Sequence, residues 1–187
     1  MEDDAGVIGR SVGEPEVFAV IFDRHARLLH RYLARRLGRD LADDALAETF
    51  LAAFRRRDRY DLARPDARPW LYGIATNVVA GCRRGEVREY RLLRAVGPQA
   101  AAEAHDEHVA ARVSAQARGP ELGAALAALA EGDRDVVLLT ATEGLSYEEV
   151  AEALDIPVGT VRSRLNRARR KLRAALGSDS EEVSVHG

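Results

Sequence analysis

The chain is poor in several things that usually announce a function. It has one cysteine, Cys82, which excludes an internal disulfide and a cysteine-rich zinc site. Trp70 is the only tryptophan. No apolar run approaches the ~20 residues of a membrane span, so membrane insertion is not expected. The acidic start, Met1-Glu2-Asp3-Asp4, is unlike a signal peptide, and the expected compartment is the cytoplasm. There is no convincing alternation of apolar and polar residues for strands, no glycine-rich phosphate loop and no nucleophile arrangement. The expectation is therefore a non-enzyme without metal or cofactor. Lys171 is the only lysine, which reflects coding composition more than mechanism.

Charge is present in quantity but nearly balanced. Over 187 residues the net charge is −2, with 31% charged and 47% hydrophobic residues. The balance hides segregation, which carries more information than the total. Residues 158–176 hold seven cations and no acid, residues 143–155 hold five acids, and residues 55–91 hold ten arginines against five acids.

The most informative stretch is 144–176. Ser146 followed by Glu149 forms a capping box ahead of a short helix with Val150, Ala151 and Leu154 on one face. Asp155-Ile156-Pro157 breaks that helix, and Pro157 suits the first turn of the next. At about 100° per residue, Val161, Leu165, Ala168 and Leu172 form one narrow buried stripe, with Ser163, Asn166 and Arg170 opposite and Arg162 and Arg167 flanking. Helix, tight turn and one-signed basic helix are the order of a helix-turn-helix DNA reader.

The remainder also reads as helical. Residues 15–37 place Phe18, Ile21, Phe22, Leu28, Leu29, Tyr32, Leu33 and Leu37 at helical spacing, closed by Gly38. A second helix spans about 41–57, with Ala42, Ala45, Leu46, Thr49, Phe50, Ala53 and Phe54 inward. After an arginine-rich loop at 58–68, Pro69 opens a third helix carrying Trp70, Leu71, Ile74, Ala75, Val78, Val79 and Cys82. The Ala-rich segment 96–119 is expected to be a flexible linker with transient helix at 102–117, and 178–187 a disordered tail. The predicted fold class is all-α: two small helical domains, 14–95 and 120–177, joined by that linker, the second a helix-turn-helix.

Five segments in fixed order (18–33, 42–50, 67–79, 128–136 and 144–151) closely resemble bacterial RNA polymerase sigma factors of the extracytoplasmic-function type. The resemblance covers about residues 14–176. It implies a transcription initiation factor that binds core RNA polymerase, through its β′ and β subunits, and promoter DNA. It also implies a family commonly held inactive by an anti-sigma factor. Within it, Asp43, Asp44 and Glu48 would dock on a coiled coil of β′, with Ala47 standing where a glutamine is usual.

The helix from Pro69 resembles the family's promoter-melting element. Trp70 would be either a stacking surface for unpaired bases or packed core, and Arg64, Arg68 and Asn77 would touch the melted −10 strand. Arg83 and Arg84 would hold phosphates, and Gly81 stands where an aspartate is frequent. In the last helix Arg162, Ser163, Asn166 and Arg167 would face −35 base edges, with Thr160, Arg164 and Arg170 completing the contact set. Arg164, Arg169, Arg170, Lys171 and Arg173 would meet phosphates, which position without specifying. The 24 residues of 96–119 stretch at most ~80 Å but coil to ~27 Å, so spanning two promoter elements requires a drawn-out linker threaded along the polymerase.

Two other functions fit parts of the chain. A ligand- or phosphorylation-controlled repressor would need an upstream receiver or ligand pocket, and the N-terminal half has neither βα alternation nor such a pocket. The metal-like cluster His105-Asp106-Glu107-His108 falls in the Ala-rich linker without a scaffold.

Overall fold

The computed structural model describes residues 2–96 and 120–177, with side chains at all of these except 86–96 and 120. Every regular element among them is helical, and the chain divides into two compact units, residues 1–112 and 113–187. No helix among the described residues is long and apolar enough to cross a membrane.

The first unit begins earlier than residue 14. Helix α1, Asp4–Ser11, is capped by the Asp3 carboxylate, which accepts from the Gly6 N–H at 2.8 Å. It buries Val7 and Ile8 almost completely. A 3-10 turn, Pro15–Phe18, leads into α2, Ala19–Leu37, so the expected single helix over 15–37 is divided near its start. Ile21, His25, Leu29, Tyr32 and Leu33 form its buried stripe, and Phe22, expected inside, is 44% exposed with its ring against Phe50 at 4.8 Å.

Gly38 ends α2 at φ 88°, a conformation glycine adopts without steric cost, and α3, Arg39–Arg56, starts at the next residue. After a short 3-10 turn at Arg57–Arg59 and a loop, α4 runs Arg68–Val96, past the expected boundary at 95. Helices α2, α3 and α4 pack on one another. Tyr32 and Tyr72 meet edge-to-face at 5.3 Å, and the Tyr32 hydroxyl lies 3.0 Å from Thr76 Oγ1, so this core contact is both apolar and hydrogen-bonded.

The second unit contains α5, Pro120–Ala127, α6, Glu131–Ala141, α7, Tyr147–Leu154, and α8, Val158–Gly177. Val136, Leu139, Leu145, Val150, Val161 and Leu165 are its buried centre. Each such burial contributes ~1.5–3 kcal/mol before chain entropy is charged. The capping box is formed: Ser146 Oγ accepts from the Glu149 N–H at 3.2 Å, and Glu149 Oε2 accepts from the Ser146 N–H at 2.7 Å. Asp155 closes α7 in the left-handed region at φ 50°, which a short acidic side chain tolerates. Pro157 stands just outside α8, not in its first turn as expected, and its carbonyl accepts from Thr160 and Val161. The linker beyond Val96, the tail 178–187 and the His105–His108 cluster lie outside the described residues.

Candidate nucleic-acid interface

The geometry of α8 follows from its stripe. Helix α8 packs on α5, α6 and α7; Val161, Leu165 and Ala168 are buried, Leu172 is half-buried, and the opposite side of the helix faces solvent. Arg162, Ser163, Asn166, Arg169, Arg170, Lys171 and Arg173 are exposed, and Thr160 is half-buried. Ser163 Oγ donates to the Thr160 carbonyl at 3.0 Å, which leaves its lone pairs as acceptors.

Two arginines of this helix are drawn back toward α6. Arg167 Nε donates to Asp133 Oδ2 at 2.7 Å and Nη2 to Oδ1 at 2.5 Å, a two-point pair on a carboxylate only 1% exposed. Hydrogen bonding from Arg167 is the main cause holding the Asp133 carboxyl below its usual range, opposed by burial and assisted by the charges of Arg167, Lys171 and Arg164. Arg164 lies over Gly132, where an added Cβ would stand 2.6 Å from Nη1. The expectation that Arg167 faces base edges meets a physical obstacle here. A base can engage those two donors only by displacing a buried carboxylate that would be left unpaired.

In the first unit Trp70, Asn77 and Arg84 are seven residues apart on α4, so they fall along one face. Asn77 and Arg84 are exposed. Trp70 is neither free nor fully buried: its half-buried ring tilts against Tyr60 at 5.0 Å, and the Tyr60 hydroxyl donates to the Arg64 carbonyl at 2.6 Å. The indole thus backs the loop that carries Arg64, whose side chain is 55% exposed and 3.5 Å from Asp61. Arg68 is clamped at 2.8 Å by Asp66, which also accepts from the Arg68 N–H and so starts α4. Arg83 is half-buried and donates to the Arg36 carbonyl at 3.3 Å.

On α3, Asp43, Asp44 and Glu48 are all exposed. Asp43 lies 3.1 Å from His30 Nε2 on α2, whereas Asp44 and Glu48 share one face. Leu41 and Leu51, 39% and 48% exposed, extend that face on either side. Sequence reasoning missed both leucines, although the spacing 41, 44, 48, 51 places them with the acids on one helical face.

A family model described as "Sigma-70 region 2" matches residues 21–88, and one described as "Sigma-70, region 4" matches residues 120–172. RNA polymerase sigma factor CarQ of Myxococcus xanthus is 34% identical over 177 residues, covering 92% of this chain and 96% of CarQ. This chain belongs to the extracytoplasmic-function sigma factors of the sigma-70 superfamily.

ECF RNA polymerase sigma factor SigL of Mycobacterium tuberculosis is 33% identical, with 92% and 96% covered. SigE of Mycolicibacterium smegmatis is 34% identical over 86% of this chain but only 62% of its own length. The structure of CnrH in complex with the cytosolic domain of CnrY matches with a TM-score of 0.64 at 28% identity, covering 94% of this chain and 98% of CnrH. That of the sigma factor RpoE with NepR from Bartonella quintana matches with a TM-score of 0.68 at 23% identity, a likeness of fold, covering 87% and 98%. As a sigma factor the chain is a transcription initiation factor that directs RNA polymerase. A further residue missed from sequence is Arg134, whose guanidinium donates to the carbonyls of Leu126 at 2.8 Å, Leu129 at 2.9 Å and Ala127, capping the end of α5.

Proposed function

We propose that this sigma factor brings core RNA polymerase to promoters by reading a −35 element with α8 and a −10 element with α4 and the loop before it, and that it helps to open the −10 DNA. The observation that carries the reading is the outer face of α8, on which every charged residue is a cation while the opposite face is filled by apolar packing. Such a face suits the major groove of a polyanion. In this reading Thr160, Arg162, Ser163 and Asn166 approach base edges, and Arg164, Arg169, Arg170, Lys171 and Arg173 meet phosphates. Arg167 is assigned to bracing α8 on α6 through Asp133, and it reaches DNA only in competition with that carboxylate.

For the −10 element, the stripe of Trp70, Asn77 and Arg84, with Arg64, Arg68 and Arg83 beside it, combines a stacking ring with amide and guanidinium donors, the means by which unpaired bases are held. For the enzyme, Asp43, Asp44 and Glu48, joined by Leu41 and Leu51, form the surface offered to β′, while the second unit contacts β. Acids steer this encounter and the leucines contribute its apolar contact. The proposed domains are 14–95, extended by α1, and 120–177, with 96–119 as linker and 178–187 as tail. The polymerase carries out the chemistry, in the cytoplasm. A regulatory protein partner of the anti-sigma kind belongs to the proposal, since CnrH was solved in complex with the cytosolic domain of CnrY.

The test is co-elution of the full chain with core polymerase on size exclusion, followed by duplex selection with the purified chain. The expected result is a stable complex, weakened by Asp44→Lys, and enrichment of one short sequence class by wild type but not by Arg162→Ala. A chain that enriches a DNA sequence yet never co-elutes with core polymerase is a repressor, and this reading fails.

A further inference from the structure

Helix α1 lies outside both matched regions, residues 21–88 and 120–172, and the sequence reading gave it no role. Its contacts converge on one segment. Asp4 is 7% exposed, and its carboxylate accepts from Arg24 Nη1 at 2.8 Å, from His25 Nε2 at 2.8 Å and from the Ala67 N–H at 3.1 Å. Its own N–H donates to the Pro65 carbonyl at 3.1 Å. At the other end of α1, the Ser11 carbonyl accepts from Arg57 Nε at 3.0 Å. Between them Gly9 is open enough for the Leu62 methyls, which would stand 3.4 and 3.5 Å from an added Cβ. Arg24 Nη2 also donates to the Glu2 carbonyl at 2.9 Å, fastening the start of α1 to α2.

Helix α1 therefore grips both ends of residues 57–67, the segment that carries Arg64 and ends at the first turn of α4. Backbone groups at Pro65 and Ala67 find their partners on Asp4, and a loop of this kind has few other ways to satisfy them. A buried carboxylate held by two cationic or imidazole donors and a backbone N–H is also a costly thing to bury unless its geometry is needed. The Tyr60–Trp70 contact rests on the same segment, so the indole's place depends on it.

We propose that Asp4 is a positioning residue for promoter opening: through α1 it sets the 57–67 loop and the start of α4 so that Arg64 and Trp70 meet the separated −10 strand. This rests on the reading of that loop as the −10 element's partner. Asp4 touches no DNA itself. It acts by fixing the backbone that does.

The experiment compares wild type and Asp4→Asn in complex with core polymerase. Strand opening is followed by permanganate reactivity on a closed duplex and on the same template with a mismatched, already open −10 segment. The asparagine keeps the size of the side chain and removes its charge. Opening of the closed duplex is expected to fall about tenfold, the size of one charge-assisted hydrogen bond, with core binding unchanged and activity regained on the open template. Hydrogen exchange should quicken at amides 61–71 while those of α2 and α3 stay protected, which separates a displaced loop from a lost fold. Equal opening by both proteins, or parallel loss of opening, core binding and α2–α3 protection, overturns the proposal. A wild-type holoenzyme that opens no template overturns the −10 reading and this inference together.

Discussion

The pair between Asp133 and Arg167 makes a prediction about counting charges. Each phosphate neutralised by a cation adds about 0.9 to the slope of log affinity against log salt. Residues 158–177 carry seven cations, but Arg167 is matched in place by a carboxylate that is 1% exposed, so it should add little to the slope. Asp133→Asn removes the match and frees the guanidinium, and the slope should steepen by about 0.9. A slope change of that size is about 3.5-fold in affinity for a fourfold change in salt. Because a freed arginine meets any phosphate, the ratio of matched to scrambled −35 DNA should fall. The double variant Asp133→Asn/Arg167→Gln removes one charge of each sign and should return slope and ratio to wild type. The assay is fluorescence anisotropy of labelled duplexes over 50–200 mM salt, a range in which such slopes are well resolved. A double variant whose slope is about 0.9 shallower than wild type would mean that Arg167 neutralises a phosphate in spite of Asp133, and the bracing assignment would be refuted.

Further expectations follow from particular contacts. Ser146→Ala removes one half of the capping box at α7 and should lower the stability of the second unit by about 1 kcal/mol, measured by thermal melting with Ser146→Thr as the retaining control. Asp44→Lys should slow association with core polymerase, an effect that fades as salt rises, whereas Leu51→Ala should speed dissociation with little salt dependence; the reverse pattern in stopped-flow traces contradicts the docking face. For Asp4, burial raises the carboxyl's pKa, but hydrogen bonds from Arg24 and Ala67 and the His25 interaction outweigh it, leaving the value below 3.8. A carboxyl depressed in the folded state contributes stability that is fully present above pH 3.8 and is lost as pH falls through its lower folded value. Asp133 is shifted in the same direction. Stability should thus be level with respect to these two groups above about pH 5 and decline below about pH 4, and Asp4→Asn should flatten that decline in acid melts.

What could be read from the sequence was whatever depends on neighbours within a few residues. The stripe Val161, Leu165, Ala168 is set by helical period alone, and all three are buried where the period puts them. The capping box needs only Ser146 and Glu149, and Gly38 needs only its freedom at positive φ. Contacts between distant residues were not legible. The family resemblance implied base contact for Arg167, and nothing near it in sequence signals its restraint; its partner Asp133 is 34 residues away. Helix α1 was missed because Gly6 and Gly9 weaken its helical signal, and its anchoring runs from Asp4 to Ala67 across 63 residues. Trp70 stood equally as stacking surface or core, and its half-buried place against Tyr60 lies between the two. The exposed leucines at 41 and 51 were open to a reading by period, had the outer face of α3 been searched for apolar as well as acidic residues.

In the proposed function this chain gives core RNA polymerase the ability to find and open promoters. The most direct measurement is run-off transcription by core polymerase on a genomic DNA library, with and without the full chain, with the transcript starts sequenced. The expected result is a set of chain-dependent transcripts whose starts share one −35/−10 pair and which disappear when Arg162 and Asn166 are replaced together by alanine. Transcripts that do not depend on the chain, or chain-dependent starts with no shared upstream pair, would contradict it.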